Sequence, residues 1–145
     1  MASFRLRQPD ATIATIGAAI GDGVYNTTGA SQAKVRTIAR GASGTFTIKV
    51  TNAGLFPDDI TIGGPGSSAG FTATYTVGAT NVTAVVVAGT YLIGGLAPGA
   101  SRTITLKVVV GHGAAKGAER ALLVKATSSA AGSPEDAVKA TVTAS

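Results

Sequence analysis

Few side chains in this sequence could do acid, base or nucleophilic chemistry. His112 is the only histidine and stands between Gly111 and Gly113. A catalytic base needs an orienting partner and a nucleophile within reach, and zinc needs further His or Cys ligands. Nothing along the chain supplies these for His112, so it is expected on a solvent-facing loop. With no Cys in the chain, disulfides, thiolate metal sites and cysteine nucleophiles are excluded together, while the redox compartment stays open. Ser128 and Ser129 lack the nucleophile-elbow pattern.

The carboxylates offer a second kind of chemistry. Asp58-Asp59, or Asp22 with Asn26, could present hard oxygens to calcium, which takes about six to eight of them. Neither group has the dense acidic spacing of a dedicated calcium loop. Both are read as turn caps, and Glu135-Asp136 after Ser133-Pro134 as a solvated turn. A glycosidase needs two acids facing each other across a cleft, and seven acids lying mostly in turns of a small domain do not build one. The run Gly63 to Gly70, GGPGSSAG, is no phosphate loop, because the Lys-Ser/Thr ending and a following helix are both missing. It reads as a flexible connection and, with Gly78 to Asn81, as loops on which a ligand could be met. Lys34 or Lys49 with Asn52 or Asn81 are the pairs from which an intramolecular cross-link could form, with loss of ammonia. No catalytic, cofactor-binding or metal residue is assigned, and no cofactor is expected.

The elements that would position these residues are strands. Thr45 to Thr51 alternates strictly, with Phe46, Ile48 and Val50 on one face and Thr45, Thr47 and Lys49 on the other. Arg102 to Val110 repeats the pattern through Ile104, Leu106, Val108 and Val110. Weaker alternation marks 11–16, 33–39, 59–62, 71–77, 82–87, 91–93, 119–127 and 137–143. Turn residues punctuate these runs every 8 to 12 positions or so, and no segment has convincing helical periodicity. Eight to ten short strands without helical crossovers predict an all-β, antiparallel two-sheet sandwich, with a closed barrel as the alternative. Its core would rest on aliphatics plus Phe46, Phe56, Phe71, Tyr75 and Tyr91.

Length and charge narrow the class. The 145 residues fit one domain, 1–145. Hydrophobic residues make up 45% of the chain but never run uninterrupted for a membrane span. The +5 net charge is scattered, with no basic patch interleaved with aromatics, so neither nucleic acid nor membrane insertion is expected. Residues 1–16 could form an extended N-terminal strand, pairing in its own sheet or on the open edge of another copy. The stretch after Met1 to Arg7, interrupted by Gln8, Pro9 and Asp10, makes a poor signal peptide, and the start at Met1-Ala2-Ser3 is expected to be that of an excised module or a mature chain.

Two segments carry a family resemblance. GTFTIKVTNAGLFPDDITI, from Gly44 to Ile62, and LAPGASRTITLKVVV, from Leu96 to Val110, resemble paired signatures of prokaryotic immunoglobulin-like repeat modules of the conserved-repeat and cell-adhesion-related type. The resemblance implies an immunoglobulin-like sandwich acting as a non-catalytic structural or spacer module, extracellular or on a bacterial surface. Its partners would be neighbouring domains or copies of itself. Alternatives are an adhesive module for a carbohydrate or protein ligand, and a subunit of a fibre or shell built by N-terminal strand exchange. Gly41 to Val50 also aligns without a gap with Gly99 to Val108, as expected of two strands facing one core after similar turns.

Overall fold

The computed structural model describes residues 7–130 and 132–145. Residues 1–6, the first part of the expected N-terminal strand, lie outside them. Strand β1 (Pro9–Ala14) is followed by a long crossing segment and then by β2 (Ala33–Ile38), β3 (Ser43–Asn52), β4 (Asp58–Gly63) and β5 (Phe71–Val77). After these come the two-residue β6 (Thr80–Asn81), the one-turn helix α1 (Thr83–Val87), β7 (Tyr91–Leu96), β8 (Ser101–Val110), β9 (Glu119–Ser128) and β10 (Glu135–Ala144). One sheet has the order β1-β3-β8-β5-β6 and the other β2-β10-β9-β4-β7. The all-β sandwich expected from alternation is the observed architecture.

The alternation works as physics requires. On β3, Phe46, Ile48 and Val50 are fully buried while Thr45, Thr47 and Lys49 face solvent, and β8 buries Ile104, Leu106, Val108 and Val110. The two signature strands are neighbours, with Phe46 opposite Leu106 and Ile48 opposite Ile104. The second sheet meets them with Ile60, Ile62, Ile93, Leu122, Val124 and Val142, all almost fully buried. Cross-strand and cross-sheet contacts among these aliphatics are the main source of stability.

Three expectations need correction. The sandwich is not purely antiparallel: β2 runs parallel to β10, from Ala33 opposite Lys139 to Ile38 opposite Ala144. The chain crosses from β1 in one sheet to β2 in the other and returns to the first at β3. No hairpin turn joins β2 to its neighbour, so nothing local fixes its direction. Second, the stretch 82–87 is not a strand. Val82 and Val86, four apart, are buried on one side of a helical turn while Val85 and Val87 are exposed. Asn81 Oδ1 accepts the Thr83 N–H at its start, and burial of that pair overrides the β-preference of a valine run. Third, Phe56 is not core, and Tyr91 packs against the core only from its margin. Phe56 is 49% exposed, with the Arg7 guanidinium 5.7 Å from its ring centre. Tyr91 is half-buried, its hydroxyl accepting from Arg102 Nη1.

The glycine-rich connection 63–70 is more tightly held than its composition suggests. The fully buried Tyr75 donates its hydroxyl to Pro65 O at 2.8 Å, and Arg120 Nη2 donates to Gly66 O. A Cβ on Gly64 would lie 2.7 Å from that hydroxyl, so glycine is what lets the loop close over the ring. Burial pushes the Tyr75 phenol well above its usual range, keeping it a neutral donor. Tyr75→Phe is expected to lose about 1 kcal/mol of stability. Urea unfolding should show a lower midpoint at unchanged slope.

Candidate functional site

The end of the sandwich where β4 begins carries a shallow cleft of about 190 Å³ lined by Arg7, Pro57, Asp58, Asp59, Gly95 and Ser129. Asp58 Oδ1 accepts the Ser129 hydroxyl at 3.2 Å and lies 3.9 Å from Arg7 Nε. Asp59 Oδ1 accepts Gly95 N–H at 2.7 Å across the sheet. The pair therefore ties β4 to β7 and to the end of β9, more than it caps its own turn. A serine beside an aspartate could be activated only through an intervening base. The sole histidine follows β8 at the far end, one ten-residue strand away. His112 is exposed there, its ring against Gly41, as expected of a loop residue.

Asn52 closes the same end of the molecule. Its amide nitrogen donates to Phe56 O and Leu96 O, both at 2.8 Å, and its Oδ1 accepts Gly54 N–H at 2.9 Å. Asn52 and Gly54 thus close a turn, and the same side chain also holds the two sheets together. Its amide is fully engaged on the inner side of β3, while Lys49 projects from the outer face. Asn81, the other cross-linking residue considered, is exposed and caps α1. Lys34 is half-buried on edge strand β2.

A second polar cluster lies inside. Asp136, read from sequence as part of a solvated turn, is fully buried on β10. Its Oδ2 accepts Ala11 N–H at 2.7 Å, and its Oδ1 accepts from Gln32 Nε2 at 2.6 Å, Ala137 N at 3.0 Å and Asn26 N at 3.2 Å. One carboxylate thus joins β1, β10 and the crossing segment. Burial pushes its pKa above the usual carboxylate range, against the pull of those four donors. Asn26 behaves as a turn cap, its Oδ1 accepting Thr28 N–H and Gly29 N–H. Asp22 is exposed on the turn whose Gly23 N–H bonds Asp10.

Asp10 is 5% exposed and accepts Gly23 N–H on Oδ2. Burial, reinforced by Asp22 and Asp136, pushes its pKa up to about 6 against that bond. Sequence reading missed Gln8, Asp10, Gln32 and Asp136 as buried polar groups. One signal was available: Asp136 falls on the same alternating face as Val138, Ala140 and Val142, so the strand that buries them buries it.

No family model and no curated protein matches the chain. Solved structures do resemble it. A family 123 glycoside hydrolase from Clostridium perfringens matches over 94% of this chain and 27% of its own, at 7% identity and TM-score 0.58. The ASH/PapD-like domain of human CEP192 matches over 99% of this chain and 90% of its own, at 5% identity and TM-score 0.52. A variant of BcpA, the major pilin subunit of Bacillus cereus, matches over 96% of this chain and 40% of its own, at 11% identity and TM-score 0.51. The chain therefore spans about a quarter of the hydrolase and two fifths of the pilin. At these identities the likeness is one of fold, an immunoglobulin-like sandwich.

Proposed function

We propose that this chain is a non-catalytic spacer module of a bacterial extracellular or surface protein. The observation that carries the reading is the path of the backbone. Gln8 Nε2 donates to Glu135 O, placing the start of β1 beside the start of β10. The opposite end of β10 lies by Arg40, whose N–H donates to Ser145 O. Ten residues of β10 separate the two, roughly 33 Å at extended spacing. A module joined to neighbours through the start of β1 and the end of β10 would add its length to the whole.

The interior supports the same reading. Asn52 and Asp136, the most heavily bonded polar side chains described above, fasten backbone segments to one another. The β1 strand pairs along its length with β3 of its own sheet, from Pro9 opposite Asn52 to Ala14 opposite Thr47. This favours copies or neighbours arranged end to end over strand exchange through β1. The likeness to a pilin subunit and to a PapD-like domain fits a part of a larger assembly. Binding by the 63–70 loop has less support, since Tyr75 and Arg120 hold its backbone.

A tandem of two copies, measured by small-angle X-ray scattering, is expected to exceed the single chain in maximum dimension by about 30–40 Å. Two copies folded side by side, no longer than one, would remove the spacer reading.

A further inference from the structure

The buried acidic cluster holds more acceptors than donors. Asp10 Oδ1 and Gln32 Oε1 are both buried without a hydrogen-bond partner, in residues that are 5% and 0% exposed. Gln32 has no freedom to turn away, because its Nε2 is bound to Asp136 Oδ1. A Cβ on Gly21 would lie 2.8 Å from Gln32 Oε1 and 3.0 Å from Ala11 O, so these two oxygens converge beside the residue that precedes Asp22. Gly21 has φ +106°, and glycine both permits that backbone and leaves the space open. On β1, Ala11 gives its N–H to Asp136 and Ile13 exchanges bonds with Ile20, so the strand turns polar groups toward this loop.

The Gly23 N–H bond to Asp10 Oδ2 at 3.0 Å lays the turn that carries Asp22 against Asp10, and Asp22 adds to the upward push on the Asp10 pKa. Two ionised carboxylates are both acceptors and repel one another, so a proton or a cation between them stabilises such neighbours. A proton between the two carboxylates leaves Gln32 Oε1 unanswered. No basic side chain answers it either: among the described residues the one ion pair is Arg7 with Asp58, in the cleft.

We propose that Asp10, Asp22, Gln32 Oε1 and the Ala11 carbonyl form a binding site for a divalent hard cation of the calcium class. All the donors are oxygen, which suits calcium and disfavours zinc. No three His, Cys, Asp or Glu side chains converge for a metal among the described residues. Two carboxylates must therefore be completed by an amide, a carbonyl and water, which sets a weak affinity of roughly 10⁻⁴–10⁻³ M. Asp22 is exposed and provides the way in. Bound there, the cation would pin the crossing segment to β1, independently of whether the module is a spacer.

Calcium binding by the full chain is tested by equilibrium dialysis and by thermal unfolding at neutral pH, in chelator and then in millimolar calcium. One calcium per chain and a rise in Tm of roughly 3–8 °C are expected. Asp22→Asn, an exposed and fold-neutral change, is expected to weaken binding at least about tenfold and abolish the rise. Asp59→Asn, in the separate acidic pair, is expected to leave both intact. The site is refuted if calcium neither binds nor shifts Tm, which would leave a shared proton between Asp10 and Asp22. It is equally refuted if Asp22→Asn keeps the full effect or Asp59→Asn removes it.

Discussion

Asp136→Ala is expected to lower the unfolding free energy by about 3–5 kcal/mol, enough to remove a large part of a small domain's stability. The mutation strips the acceptor from Ala11 N, Asn26 N and Gln32 Nε2, as well as from Ala137 N on its own strand. Each buried donor left unpaired costs about 1–3 kcal/mol, partly offset where local relaxation admits water. Burial of the carboxylate is itself unfavourable, which is why the net loss is smaller than the sum of four bonds. Asp136→Asn keeps the shape and one acceptor but turns an N–H₂ toward existing donors, so it should fall between wild type and Ala. Equilibrium denaturation of the three proteins checks the order. A loss within about 0.5 kcal/mol, the range for exposed positions, would mean that Asp136 is solvated after all.

The second large effect is expected at Asn52. Asn52→Ala should cost about 2–4 kcal/mol, because Phe56 O, Leu96 O and Gly54 N–H all lose a buried partner. Asn52→Asp separates the two roles of this side chain. Aspartate serves a local turn as well as asparagine does and keeps the bond to Gly54, but its second oxygen would face two carbonyl oxygens. At neutral pH the aspartate variant should therefore be at least as unstable as the alanine variant, by thermal or urea unfolding. An aspartate variant as stable as the wild type would reduce Asn52 to a turn residue and remove its part in joining β3 to β7.

Much of the architecture could be read from residue order alone, because a strand that buries one face must alternate. The inward rows of β3 and β8, the turn at Asn52-Gly54 and the loop position of His112 follow from side-chain period and backbone chemistry within a few residues. The same local rules could not give the parallel pairing of β2 with β10, since no turn connects them and the choice is made between sheets. They misread Val82 to Val87 because β-branched residues favour strands until burial of an i, i+4 pair outweighs that preference.

For the polar residues the division is sharper. Sequence marks Asp10, Asp22, Gln32 and Asp136 as ordinary turn or surface types, and they are separated by up to 126 positions (136 − 10). Only the folding of β1 against β10, with the crossing segment laid over both, brings their oxygens together and removes water from them. A carboxylate in a turn is solvated and says little. The same carboxylate without water needs donors or a cation, and that requirement is created by tertiary packing alone.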